Sequence, residues 1–210
     1  MGWLDKLERQ RAARLVRENT RQRYVLAHGG VRAVLSAYLG VDPHVIMLDR
    51  SETGKPFLTR ELRDRSSITF NLSHAQDRAL IAVSKTQEVG VDLECIRADI
   101  EVANLSERYF TQAEHTAIMQ AREERRAMRF FRHWVAKEAL LKAQGIGLRG
   151  LADCEVFIAA DEIDTEARVR LGPQFHNTLR VRLLACEPGW EAAIAAQSLD
   201  SVKQCSLAQQ

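Results

Sequence analysis

From about Met128 to Ala143 the chain reads as one strong helix, ended by Gly145 and Gly147. No other stretch constrains the fold as tightly. Trp134, Glu138 and Lys142 stand at i, i+4 and i+8 of this helix and therefore share a face, with Leu141 at its edge. One aromatic ring, one carboxylate and one ammonium look the same way. Lys137 lies about 100 degrees off that face.

The remaining pattern alternates helix with short strands. Asp5 to Leu39 is helical by the spacing of Leu15, Tyr24, Val31, Leu35 and Tyr38, with an interruption expected at Gly29-Gly30 and a stop at Gly40. Asp49 to Pro56 is polar with Gly and Pro and reads as a loop. Ile68 to Phe70 and Ala79 to Val83 are short strands turning at Asp77-Arg78, and Val89 to Leu93 is another. One helix is expected over Leu105 to Gln120. After the long helix, Cys154 to Ala159, Thr178 to Cys186 and Glu191 to Ala196 read as strands, with Glu187-Pro188-Gly189 as a tight turn and a loose tail after Gln197. Helix followed by hairpin thus occurs once before residue 95 and once after it. An α+β fold of two similar lobes, residues 1–95 and 96–210, is the expectation.

With 210 residues, 46% hydrophobic and 28% charged, the chain can bury a full core and has neither a disordered nor a fibrous composition. Its longest apolar runs, such as Ala79 to Val83, fall far short of the roughly 20 residues of a membrane span, so no membrane partner and a cytoplasmic location are expected. Cys95, Cys154, Cys186 and Cys205 are too scattered for a zinc site. A net charge of +2 argues against a whole-protein polyanion binder. Basic residues nevertheless cluster over Arg9 to Arg23 and Arg122 to Arg132, the first cluster without interleaved aromatics or a helix-turn-helix pattern. No nucleic-acid partner is expected.

The chemistry sits in short blocks. In an extended segment Asp92 and Glu94 point to one face while Val91 and Leu93 turn toward the core. With Glu138 they supply three oxygen ligands, a set suited to Mg²⁺ shared with a phosphate, with Mn²⁺ also admissible. Lys55 occupies a Gly-Lys-Pro turn, and Ser73 and His74 are placed just past a strand end, where backbone donors are free. Each block alone has an ordinary explanation: a charged surface strand, an i, i+4 ion pair, a rim histidine.

Their order does not. Gly54-Lys55-Pro56, Phe70-Asn71-Leu72-Ser73-His74, Gly90-Val91-Asp92-Leu93-Glu94, Phe110-Thr111-x-x-Glu114 and Trp134-x-x-Lys137-Glu138-Ala139-x-x-Lys142 together resemble the motifs of the surfactin-type 4'-phosphopantetheinyl transferases over roughly residues 20 to 150. The resemblance implies transfer of the phosphopantetheine arm of coenzyme A to a serine of an acyl, peptidyl or aryl carrier protein, releasing adenosine 3',5'-bisphosphate. It further implies two pseudo-twofold lobes in a monomeric chain, with the active site in the cleft between them. By motif position, Asp92, Glu94 and Glu138 would hold the metal, Lys142 the pyrophosphate, and Arg32, Lys55, Ser73, His74 and Lys137 the remainder of coenzyme A. Glu94 and Glu138 are both candidates for the general base. One departure is that family members have an extended strand and loop before the Arg-rich helix, where this chain has the charged, helix-like stretch Met1 to Glu18.

Overall fold

The computed structural model describes residues 2–159, 166–176 and 178–205. The first half opens with α1 (Lys6–Arg14) and α2 (Glu18–Leu39). The expected break at Gly29-Gly30 is absent: α2 runs through both glycines, and the chain bends instead at Leu15 to Arg17, where the backbone is extended. Packing overrides propensity here, since Val31 and Leu35 just beyond the glycines are fully buried against Ile46, Leu58 and Phe70. Gly40 ends α2 as expected, at φ 66°.

The segment expected to be a loop is a small hairpin, β1 (Leu48–Arg50) paired with β2 (Pro56–Leu58), with Lys55 at its turn. A short helix, α3 (Arg60–Arg63), leads to a second hairpin, β3 (Thr69–Ala75) with β4 (Arg78–Ser84). β3 is longer than expected. Ser73 and His74 do not follow a strand end but lie inside the ladder, opposite Leu80 and Ala79. The turn is at Gln76, the one non-glycine residue with positive φ among the described residues.

In the second half, β5 (Val89–Cys95), β6 (Cys154–Phe157), β7 (Glu166–Leu171), β8 (Arg180–Leu184) and β9 (Trp190–Ala196) form one antiparallel sheet in the order β5-β9-β8-β7-β6. β7, unanticipated from sequence, lies between β8 and β6. The single helix expected over Leu105 to Gln120 is two, α4 (Val102–Tyr109) and α5 (Gln112–Met119). They divide at Thr111, whose side chain caps the second while Glu114 bonds back to the Thr111 N–H. The tail is docked through Leu199, which is buried, and Gln87 clasps Ser198 through two hydrogen bonds.

The long helix α6 (Glu123–Gln144) crosses this sheet and buries Val135, Ala139, Leu140 and Ala143 in its main core. Gly90 fixes how close it comes: a Cβ there would lie 2.1 Å from the Ala139 carbonyl oxygen and 2.3 Å from the Ala143 nitrogen. Only glycine permits that approach. Because Gly90, Asp92 and Glu94 alternate onto one face of β5, the two carboxylates also face α6. Alongside the free edge of β5 runs β3, parallel to it, with no backbone ladder between them. Two side chains take its place: Asn71 Oδ1 accepts from the Val91 N–H at 2.9 Å and Ser73 Oγ from the Leu93 N–H at 3.2 Å.

Candidate active site

Helix α6 and strands β3 and β5 therefore converge on Asp92. Its carboxylate is buried, and Oδ1 accepts from Lys142 Nζ at 2.6 Å and from Ser73 Oγ at 2.8 Å. Lys142 also lies 3.3 Å from Ser73 Oγ and 3.9 Å from Glu138 Oε2. The other Asp92 oxygen, Oδ2, is buried without a hydrogen-bond partner. Such an orphaned acceptor costs on the order of 1–3 kcal/mol and calls for an explanation.

Three carboxylates in one place repel one another, and the site shows it. Burial, then the charges of Asp92 and Glu94, push Glu138 up to about 7 against the opposing pull of Lys142. Glu94 is raised as well, by burial first and by Asp92 second. His74, at the surface, is lowered by partial burial of its ring and then by its neighbours His28 and Lys142, which places it within electrostatic reach of the same centre. Among the described residues no three or more His, Cys, Asp or Glu side chains form a ready-made metal cage. The donor set nonetheless fits a hard divalent cation: an unpartnered carboxylate oxygen, two further carboxylates whose raised values a nearby cation would lower, and oxygen ligands only. Mg²⁺ in particular keeps several waters and needs no full protein cage.

Asp92, Glu94, Glu138, Lys142 and Ser73 are thus brought together, with His74 nearby. Lys55 is at the rim beside the start of β5, donating to Glu88 Oε2 at 2.6 Å. Two expected coenzyme A contacts lie elsewhere in the fold. Lys137 is fully buried and donates to Glu114 Oε2 and the Cys154 carbonyl, both at 2.6 Å, so it ties α6 to α5 and β6 and has no reach into the site. Arg32 is 1% exposed and paired with Glu8 at 2.8 Å and Asp5 at 3.3 Å. Its guanidinium anchors the N-terminal helix. Burial alone would raise Glu8, but hydrogen bonds from His28 and Arg32 outweigh it and hold that carboxylate down at about 2.

Sequence reading did not single out Glu8, Asn71 or Glu155 as buried polar anchors. For Glu114 a signal was present, since Thr-x-x-Glu is a capping-box pattern. It caps α5, and the same Glu114 carboxylate then receives Lys137 and the Val156 N–H.

A mixed α+β chain with acidic and basic groups gathered at a strand–helix junction is the class that geometry defines. Residues 88–195, from the start of β5 almost to the end of β9, match the 4'-phosphopantetheinyl transferase superfamily, and residues 1–86 match the N-terminal domain described for 4'-phosphopantetheinyl transferases. The chain belongs to the 4'-phosphopantetheinyl transferase superfamily. It is 36% identical over 155 residues to the 4'-phosphopantetheinyl transferase HetI of Nostoc sp., covering 74% of this chain and 65% of that protein. To the 4'-phosphopantetheinyl transferase Sfp of Bacillus subtilis it is 25% identical over 201 residues, covering 95% of this chain and 85% of the relative. The L-aminoadipate-semialdehyde dehydrogenase-phosphopantetheinyl transferase of Xenopus laevis is 34% identical over 127 residues, 56% of this chain and 41% of that one. The chain thus spans less than two thirds of the length of the first and last of these three relatives. Among the described residues no helix is long and apolar enough to cross a membrane.

Proposed function

We propose that this protein transfers the 4'-phosphopantetheine arm of coenzyme A to a serine hydroxyl of an apo acyl, peptidyl or aryl carrier protein, releasing adenosine 3',5'-bisphosphate. The observation that carries the reading is the convergence of Asp92, Glu94, Glu138 and Lys142 where α6 crosses β5, with one buried Asp92 oxygen left unpartnered. Asp92, Glu94 and Glu138 hold the metal, Mg²⁺ by preference and Mn²⁺ as a substitute. When bound, the ion neutralises charge that develops on the pyrophosphate.

The chain's own groups do the rest. Lys142 stands beside Asp92 with its ammonium able to move onto a pyrophosphate oxygen, while His74, within electrostatic reach of Lys142, and Lys55, beside the start of β5, would contribute further positive or donor character. Glu138 and Glu94 both remain candidates for taking the serine proton. A value near 7 suits Glu138 to that task, since a base works best when its pKa lies close to the operating pH. Arg32 and Lys137 are buried with their donors committed within the protein and are given no phosphate role.

In this reading the part before β5 forms the coenzyme A side and the part from β5 onward, which carries Asp92, Glu94 and Glu138, the metal and carrier side, as two related lobes of a monomeric, cytoplasmic enzyme with the active site between them. Support comes from the placement of one 22-residue helix, α2 or α6, in each half. The test is incubation of the purified protein with Mg²⁺, coenzyme A and a panel of apo carrier proteins, read by intact mass. Carrier gaining the phosphopantetheine mass with the wild type, and losing it by a thousandfold or so with Glu138→Gln or Asp92→Asn, is the expected result. Every carrier unmodified by well-folded wild-type protein would sink the proposal.

A further inference from the structure

The turn that carries Lys55 reaches across the molecule. Thr53, in the connection between β1 and β2, donates its hydroxyl proton to the carbonyl oxygen of Gly145 at 3.1 Å, a bond that spans 92 residues of sequence. Gly145 caps α6 three residues beyond Lys142, at φ 79°, where the carbonyls that close a helix lack partners within it. A Cβ placed on Gly147, just past the cap, would lie 3.6 Å from Thr53 Cγ2, so the threonine methyl borders the same loop.

The bond to Gly145 orients the rest of the turn. A hydroxyl has one proton to give. With the Thr53 proton committed to Gly145, the 2.9 Å contact between Ser51 Oγ and Thr53 Oγ1 takes one direction, Ser51 donating and Thr53 accepting. Ser51 Oγ in turn accepts the Lys55 N–H at 3.1 Å. A directed chain thus runs from the Lys55 backbone through two hydroxyls to the end of α6, and the links of such a chain polarise and strengthen one another. Thr53 is exposed, so this strap lies outside the hydrophobic core.

The two cations joined in this way stand at different points along β5. Lys55 Nζ lies 3.5 Å from the Val89 carbonyl and Lys142 Nζ 2.6 Å from Asp92 Oδ1, strand positions about 10 Å apart at the rise of an extended chain. Coenzyme A carries anionic groups in two separate places, its pyrophosphate and its 3'-phosphate. We infer that Thr53 is a positioning residue: its hydroxyl straps the Lys55 turn to the end of α6 and fixes Lys55 relative to Lys142, so that a ligand with two separated phosphate groups meets both cations already in place. This rests on the coenzyme A reading of the site. Preorganisation of that sort acts on binding and leaves the chemical step alone.

The experiment measures coenzyme A affinity by titration calorimetry, and carrier-labelling kinetics, in Mg²⁺ for wild type, Thr53→Val, Thr53→Ser, Lys55→Met and the double variant Thr53→Val, Lys55→Met. Valine keeps the shape of threonine and removes the hydroxyl. Thr53→Val is expected to weaken coenzyme A binding and raise its KM about 3- to 10-fold, the range of one ordinary hydrogen bond, with kcat within about twofold. Thr53→Ser, which retains the donor, should bind as wild type does. Because Thr53 acts through Lys55, the double variant should bind no more weakly than Lys55→Met alone. Unchanged affinity in Thr53→Val, a loss in Thr53→Ser as large as in Thr53→Val, a fall in kcat with KM unchanged, or additive losses in the double variant would each overturn the inference alone. Lys55→Met that binds coenzyme A as tightly as wild type would remove the role of Lys55 and the strap with it. A wild type that neither binds coenzyme A nor labels any carrier would remove the transferase reading along with both.

Discussion

Lys137 and Lys142 leave the same helix five residues apart, and each meets a buried carboxylate at 2.6 Å. The two pairs are otherwise opposites. Around Lys137 nearly every partner is matched: its ammonium serves Glu114 and the Cys154 carbonyl and lies 5.3 Å from the Phe110 ring centre, while Glu114 also receives the N–H groups of Thr111 and Val156. Around Lys142 the account is left open. Its side chain is 28% exposed, Asp92 retains an unpartnered oxygen, and Glu138 is driven up to about 7 by burial and its carboxylate neighbours. Satisfaction marks the first pair as part of the fold, and its lack marks the second as a place where something binds.

The largest expected effect lies on the satisfied side. Lys137→Met leaves Glu114 charged and buried without its cation, and breaking a buried pair in this way costs about 3–5 kcal/mol. Urea unfolding at pH 7 should record that loss, and the double variant Lys137→Met, Glu114→Gln should recover much of it. A loss below about 1 kcal/mol would place Lys137 outside the framework and reopen a role for it in ligand binding.

On the open side the sign reverses. Glu138 has its folded-state value raised from 4.5 to about 7, so between those two pH values the folded protein binds more protons than the unfolded one. Stability therefore falls as pH rises through this window, and the penalty is complete above about pH 7. Glu138→Gln removes the charge and should make the metal-free protein more stable by about 1–3 kcal/mol at pH 8, with no gain below about pH 4.5. Thermal unfolding at the two pH values checks this. A variant less stable than wild type at pH 8 would mean that Lys142 already compensates the carboxylate, and the contrast between the two lysines would lose its basis.

Much of the open site was legible because strand and helix periods translate directly into faces. Asp92 and Glu94 share one because they are two apart on a strand, and Glu138 and Lys142 share another because they are four apart on a helix. What sequence could not supply was the partner of each group. Arg32 looks like a phosphate ligand until α1, more than twenty residues upstream, folds over it with Glu8 and Asp5. Ser73 and His74 read as lying beyond a strand end, whereas the hydroxyl of Ser73 meets the free N–H of a neighbouring strand from inside β3. The helix break fell at Leu15 to Arg17, not at the two glycines, because the core around Val31 and Leu35 holds α2 straight. Family matches that divide at residues 86 and 88 place β5 with the second half, in agreement with its pairing to β9.

The smallest predicted effect separates the two regions by titration. A divalent cation held by Glu138 must displace its proton below about pH 7, so Mn²⁺ affinity should fall about tenfold per pH unit under that point and level off above it. Toward more acid pH the slope should steepen as Glu94, also raised by burial and by Asp92, takes up its own proton. Lys137 and Glu114 give no such dependence, since neither reaches the metal. Titrating the protein with Mn²⁺ from pH 5.5 to 8 by electron paramagnetic resonance tests the difference, and Glu138→Gln should bind more weakly with the inflection near pH 7 gone. Affinity that stays flat across the range would mean that Glu138 gives up no proton on binding, leaving Asp92 and Glu94 as the only carboxylates facing the ion and Glu138 free to act on the serine alone.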